Sequence, residues 1–568
     1  MRGPAPPLVA GLAVFAACVA LAPPGRHWLD AGEIVAAAHG LGIAHPPGHP
    51  VAILVGKALS LLVPFGSIAF RVTVASALAL GASAAVAAHL GRTLLAQAFD
   101  LDDADAAWLA ALVAVGAGAC GPSLLQGVRG EVYALNALLT LVAVAALVGG
   151  PLTPRRLGVA ALAAGLGLAN HHLLLAAGVA PAVLVVGGLQ RRRLAAGGGV
   201  GRLAVGTLGL GALGLGAYAL LPIRALADPV ANWGDPRTLP RFLWTVSAEV
   251  FRRFRGDAPP ASVLDNAVDA VFVTMDSLGP LGGLVALVGF AVLIRRSGGP
   301  AVAVAAAVFG VVLTKVVLGF EPNNPDLRGY WLPAVLLLAP GAAAFAALVA
   351  SAGRSARIWT FAVTGLWLLA RLGSGGPPLP GPQAEDPRKV ANASLASIPA
   401  HGVALLADFN LAFSVWASEA VEGVRPDVSP VIRAFVDHPG YVEHIGRRFP
   451  SLDAWRAGPC PPARVRGRVV HAELHHDLPA ECLAALSPAV VTPTADALAG
   501  LQLDEGDLGS ARWRTWQHWL HALHREARGD VAAARAHLAQ ALARAPADPE
   551  LLALDARLTR RGAGPSGR

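Results

Sequence analysis

RHWLDAGEIVAAAHGLGIAHPPGHPVAILVGKALSLLVP, residues 26–64, is the stretch on which the reading of the whole chain turns. It holds Asp30 and Glu33, the histidines His39, His45 and His49, and the Pro46-Pro47 pair, and it follows the first apolar segment. That is where a membrane protein meets water. Asp30 and Glu33 are three apart, so a helix would put both on one face. A carboxylate pair at a membrane rim can orient an acceptor hydroxyl and take its proton. The same spacing also suits a helix N-cap and its capping partner, and the spacing alone does not choose between them.

Outward from this stretch, the composition is that of a membrane protein. Hydrophobic residues make up 55% and charged residues 14% of 568, and the mean hydropathy is +0.55. The arginines stand in short clusters between apolar runs, so the basic balance is a positive-inside pattern and not a nucleic-acid footprint. Four cysteines exclude a disulfide scaffold and a cysteine-rich metal centre. Cys18 and Cys120 fall in apolar runs as packing residues. Cys460 and Cys482 lie in the polar tail and can pair if that tail is extracytoplasmic.

Apolar runs are expected to span at 7–22, 67–91, 104–121, 132–149, 157–171, 173–189, 203–221, 280–294, 299–318, 330–350 and 356–371, about eleven helices of near-membrane length. The run 49–63 is short and carries Lys57, and is expected to lie in the interface. With the N-terminus in the cytoplasm, Arg92, Arg155-Arg156, Arg191 to Arg193, Arg202, Arg295-Arg296, Arg354 and Arg357 fall inside. Asp30, Glu33, Glu131, the 222–265 loop, Glu321 and Asp326 fall outside. An odd count then puts the long tail outside as well.

The chain divides into a membrane domain, 1–371, with its first extracytoplasmic loop at 23–66, and a Pro/Gly linker at 372–382. Residues 383–508 carry strand-then-helix units and read as a small α/β domain. Residues 509–568 read as an amphipathic helix pair with a Gly-Asp turn, like one tetratricopeptide unit. The HAELHH stretch, with His471, His475 and His476, lacks the order of a zinc-protease motif, and no metal is expected.

Several stretches together resemble one family. WLDAGEIVAAAHGLGIAHPPGHP (28–50), QGVRGEVYALNALL (126–139), GLGLANHHLLL (165–175), NNPDLRGYWLPA (323–334) and LLADFNLAFSVWASEAVEGVRPDV (405–428) are similar to segments of the TMEM260-like family (DUF2723, GT117). That family belongs to the GT-C superfamily of integral-membrane glycosyltransferases. The first stretch also resembles protein O-mannosyltransferases, where an acidic pair precedes His-Pro-Pro and a lysine. Where the family more usually has Asp-Gly-Asp, this chain reads Ala-Asp-Phe-Asn at 407–410.

The resemblance implies a GT-C-type fold and inverting transfer of a sugar, mannose in eukaryotic relatives, from a polyprenyl-phosphate donor. The acceptor is extracytoplasmic, a protein Ser/Thr hydroxyl being one candidate. The Ala, Gly, Arg and Pro richness suggests a bacterial inner membrane. A lipid phosphate is already a leaving group, so no cofactor is expected, only a base and cations. Asp30 is the expected base with Glu33 as neighbour or replacement. Arg129, Arg328 and Lys57 are phosphate candidates, and His45, His49, Glu131, His171, His172 and Tyr330 are further substrate-contact candidates. Two other classes share the many spans. A flippase of lipid-linked sugars should show paired internal repeats, which are not evident. A non-catalytic scaffold would use the tail to recruit partners.

Overall fold

The computed structural model describes residues 5–196, 200–253, 263–318, 326–375 and 379–562, the last with gaps at 380, 382–383, 453–459, 461, 475–477, 480, 483–500, 502 and 505–507. Long apolar helices build the first two thirds. Among the described residues five are long and apolar enough to cross a membrane: Ile68–Ala98, Pro154–Leu189, Val205–Ala225, Gly299–Val317 and Arg328–Ala350. Two further pairs are apolar but sharply bent. Asp103–Gly118 turns 75° into Gly121–Gly127, and Val263–Leu278 turns 92° into Gly282–Ser297. Counting each pair as one span gives seven.

The expectation of about eleven spans is therefore wrong. Apolar runs were counted as crossings where the folded chain lacks the length or the straightness. Pro6–Leu21 and Tyr133–Val148 have 16 residues each, about 24 Å of helix against a hydrocarbon core of about 30 Å. The runs 157–171 and 173–189 belong to one helical stretch interrupted at His171, whose φ of −154° and ψ of 92° leave the helix. Arg354–Arg371 is not among the five, since arginines sit within it as well as at its ends. The protein remains a multi-pass α-helical membrane protein with a soluble C-terminal region.

Helix Ile68–Ala98 is the hub. It packs against Pro6–Leu21, Asp103–Gly118, Tyr133–Val148 and the helix Asp326–Ala350. Small residues set the closest approach: a Cβ on Gly81 would come within 2.7 Å of the Gly11 carbonyl oxygen. Close backbone contact of this kind replaces the hydrophobic effect as the glue between helices in lipid.

The soluble region opens with helix Asp386–Ala396. Strands β1 (Val403–Leu406), β2 (Ser429–Ile432), β3 (Arg464–Val465) and β4 (Arg468–Ala472) form one sheet in the order β2-β1-β4-β3. β1 runs parallel to β2 and β4, while β3 is antiparallel to β4. All residues of β1 and β2 are buried, as parallel strands covered on both faces require. Helix Phe409–Ala417 lies on the crossover from β1 to β2. Cys460 and Cys482 form a disulfide with Cα atoms 5.3 Å apart. Three helices end the chain, Leu508–Ala527, Val531–Arg544 and Pro549–Gly562, where two were expected. Gly529 takes the left-handed φ of 78° at the first turn, and Asp530 caps the next helix by accepting from the Ala533 N–H at 3.1 Å.

The soluble region sits on the loop that carries the acids. Trp28 stacks on Trp513 with centroids 6.0 Å apart, and its Nε1–H donates to Ser510 Oγ at 3.1 Å. Arg26 is buried in the same contact, bonded to Ser418 and, at 2.9 Å, to Glu422.

Candidate active site at the membrane rim

Asp30 immediately precedes helix Ala31–Gly40 but makes no capping bond with its side chain, so capping is not what holds it there. Glu33, one turn on, is fully buried. Its Oε1 accepts the His45 backbone N–H and its Oε2 accepts His45 Nδ1–H, both at 2.7 Å. The Ile43–Asn232 bridge ties the His45 segment to the 226–235 loop. The Pro46-Pro47 bond is cis, and His49 then opens helix Pro50–Leu62 from a left-handed φ of 45°.

The hydrogen bonds fix the protons. His49 Nδ1 faces the Asn170 carbonyl oxygen and must donate to it. In a neutral His49 the Nε2 is then an acceptor, and the His45 Nε2 lying 3.0 Å away is the donor. With Nδ1–H already given to Glu33, His45 carries both protons and is an imidazolium. The energetics agree. Burial disfavours the His45 charge, but Glu33 and Asp30 outweigh it and lift the group to about 10. Burial and the His45 charge push His49 well below its usual value and keep it neutral.

Asp30 is the contrasting carboxylate. Its side chain is 26% exposed, and its Oδ2 lies 3.9 Å from His45 Nε2. Burial pushes its pKa up to about 7 against the pull of His45. One acid is thus locked to a histidine while the other is open and near neutrality.

Behind this pair lies Arg129, with a wholly buried side chain. It pairs with Asp326, and its Nη2 also donates to Gln126 Oε1 at 3.2 Å. Its Nε and Nη1 have no hydrogen-bond partner. Glu131 is buried too, with both carboxylate oxygens unpartnered. It lines an apolar cleft with Ile34, Val55, Val72 and Leu135. Burial drives its pKa well above the carboxylate range despite Arg129.

A cluster of rings closes the far side. His171 lies 5.6 Å from His49 and 5.5 Å from Tyr330, centroid to centroid, and Tyr330 is 5.3 Å from Tyr133. Lys315 Nζ sits 3.9 Å above the Tyr330 ring.

The fold thus gathers Asp30, Glu33, His45, His49, Arg129, Glu131, His171 and Tyr330 around one region. Three candidates are engaged elsewhere. Lys57 Nζ donates to the His39 carbonyl at 2.6 Å and so caps the helix Ala31–Gly40. Arg328 pairs with Asp276 at 2.8 Å. His172 Nε2 bonds to the Val246 carbonyl at 3.1 Å. Sequence reasoning missed Lys315, Asp326 as the Arg129 partner, Tyr133 and Asn170. A lysine inside an apolar run was the available signal for Lys315. Of the histidine cluster, His475 and His476 lie outside the described residues. Ligand atoms of Asp30, Glu33 and His45 lie within 4.8 Å of one another, close enough to hold a metal ion. To bind one, His45 would have to lose a proton and its bonds to Glu33 or His49.

The sequence of this region matches a known family. Residues 30–193 match the family described as "Protein O-mannosyl-transferase TMEM260 N-terminal domain". Through these residues the chain is similar to the TMEM260-like family. Ninety of its residues are 41% identical to the Mus musculus protein O-mannosyl-transferase TMEM260, covering 16% of this chain and 12% of that protein. The chain therefore matches about an eighth of the length of this curated relative. Among solved structures it is similar to ArnT from Cupriavidus metallidurans bound to undecaprenyl phosphate, at 12% identity, 76% and 91% coverage and a TM-score of 0.47. It is also similar to the Archaeoglobus fulgidus oligosaccharyltransferase complexed with Zn and sulfate, at 12% identity, 75% and 62% coverage and a TM-score of 0.42.

Proposed function

We propose that the protein is an inverting glycosyltransferase that moves a sugar from a polyprenyl-phosphate donor to an extracytoplasmic hydroxyl. The carrying observation is the split between the two acids. Glu33 has both oxygens committed to His45, which leaves Asp30 as the one able to accept a proton. A base with a pKa near 7 suits catalysis at neutral pH. In the step, the acceptor oxygen attacks the anomeric carbon from the face opposite the phosphate. Asp30 takes the hydroxyl proton, the bond from the anomeric carbon to the phosphate oxygen breaks, and its electron pair leaves with the polyprenyl phosphate. Arg129, with two unpartnered donors in a dry site, is the cation for that phosphate. The His45 imidazolium, fixed by Glu33 and His49, holds the Asp30 end of the site electropositive. The donor chain is taken along the apolar cleft beside Glu131.

The disulfide supports placing the soluble region in an oxidising compartment, the periplasm in a bacterium, with the membrane domain in the inner membrane. A flippase should show paired internal repeats, and their absence from the sequence pattern favours transfer. The test is incubation of purified protein with undecaprenyl-phosphate mannose or with GDP-mannose, and a Ser/Thr peptide. Transfer from the lipid donor is expected. Efficient transfer from the nucleotide sugar with no lipid intermediate would sink the reading.

A further inference from the structure

The Ala407-Asp408-Phe409-Asn410 turn joins β1 to helix Phe409–Ala417, at the carboxyl end of the sheet's strands. That is the edge where open α/β sheets place functional residues. Here it faces the acid loop. The Leu29 N–H donates to Asn410 Oδ1 at 2.9 Å across 381 residues of sequence. Leu29 has a φ of 64°, a left-handed conformation rare for a bulky side chain. Such a conformation persists only where its surroundings over-determine it, and the next residue is Asp30.

Asn410 is itself held by the Asp408 carboxylate. Its backbone N–H and its side-chain Nδ2–H both donate to Asp408 Oδ1, at 3.0 and 3.1 Å. The turn beneath it is held by Glu473, just past β4, whose Oε2 accepts the N–H groups of Ala407 and Asp408 at 2.8 and 3.0 Å. Glu473 is 1% exposed. Burial and Asp408 push its pKa up to about 8, so near neutral pH the acid pair is not forced to carry two charges. A second contact acts in parallel: helix Ala31–Gly40 lies so close to helix Phe409–Ala417 that a Cβ on Gly32 would come within 2.7 Å of the Phe413 carbonyl oxygen.

We propose that Asn410 is a positioning residue for the membrane-rim site: by fixing the Leu29 backbone it sets where the Asp30 carboxylate stands. The soluble module is then a structural half of the active site rather than an appendage. This rests on the reading of Asp30 as the base.

The test compares wild type, Asn410→Ala, Asp30→Asn and a double swap, Asp408→Asn with Asn410→Asp. In the swap the carboxylate at 410 still accepts the Leu29 N–H, and the amide at 408 donates to it in return. Two readouts are taken on full-length protein: transfer from undecaprenyl-phosphate mannose to a Ser/Thr peptide, and deuterium exchange of the peptide covering residues 26–33. Asn410→Ala should lower kcat about 10- to 100-fold with KM for the lipid nearly unchanged, and should speed exchange at the Leu29 amide. The swap should restore both to within about threefold, on the same positioning argument. An unchanged kcat in Asn410→Ala beside a dead Asp30→Asn overturns the positioning role and leaves the transfer reading intact. A swap as slow as the alanine variant, or exchange unmoved in every variant, also overturns it. A wild type inactive with every lipid donor sinks the transfer reading and the catalytic part of this proposal with it. The exchange rates then still decide whether Asn410 holds Leu29.

Discussion

Asp30 and Glu33 are chemically near-identical and one helical turn apart, and their surroundings give them different work. Glu33→Gln and Asp30→Asn should therefore differ in kind. Asp30→Asn keeps the size of the side chain and removes the proton acceptor, so transfer should fall about 10²–10⁴-fold at equal folded protein, with lipid binding retained. In the wild type the base form of Asp30 predominates above its pKa of about 7. The rate should be flat above that value and drop about tenfold per pH unit below it. A profile flat down to pH 5 would remove Asp30 as the base. In Glu33→Gln, His45 loses the carboxylate that most favours its charge. The cation beside Asp30 is then weakened, and because His45 acts on Asp30 more strongly than Glu33 does, the acid limb should move to higher pH. A limb that moved to lower pH would show that the imidazolium is not the controlling charge.

Helices Ala31–Gly40 and Phe409–Ala417 meet at Gly32, where the backbone of one lies against the backbone of the other. Gly32→Ala must push them apart, and overpacking of this kind costs about 1–3 kcal/mol. A lowered unfolding temperature, together with reduced kcat, is expected in the purified protein. Unchanged values for both would mean the two helices do not pack as tightly as described. The Cys460–Cys482 bridge closes a loop with a sequence separation of 22. Opening a loop of that size by Cys460→Ser should destabilise the soluble module by about 2–4 kcal/mol, readable as earlier proteolysis of that module in cells. Equal protease resistance in the two proteins would show that the bridge adds nothing to the folded module.

The hydrogen bond from Leu29 to Asn410 constrains the topology of the whole molecule. The two residues share one side of the membrane, so an even number of crossings must separate them. Five and seven are both odd. Either one bent pair crosses and the other does not, or a shorter apolar helix adds a crossing. Reporter fusions inserted at residues 25 and 380 should therefore read the same side, and fusions before residue 263 and after residue 297 should show whether the second bent pair crosses. Opposite readings at 25 and 380 would break the contact between the acid loop and the soluble module, and with it the composite site.

Composition and local pattern were enough to give the class of molecule and the place to look. Apolar composition and arginine clusters marked a multi-pass membrane protein, and the acidic residues beside His-Pro-Pro marked its rim, because these signals are local and survive without a fold. Span number did not follow, since hydropathy measures apolarity and not straightness or length in the folded state. The site was legible only in part. His45, His49, Arg129, Glu131, His171 and Tyr330 stood out as polar residues at the ends of apolar runs. Their division of labour did not, because it depends on which hydrogen bond each one makes. Lys57 and Arg328 are phosphate candidates by residue type, and only the fold shows the partners each one has, the His39 carbonyl and Asp276. Only tertiary structure could bring Asn410 to Leu29 across 381 residues, and only tertiary contacts could separate two neighbouring carboxylates into one locked to His45 and one left open.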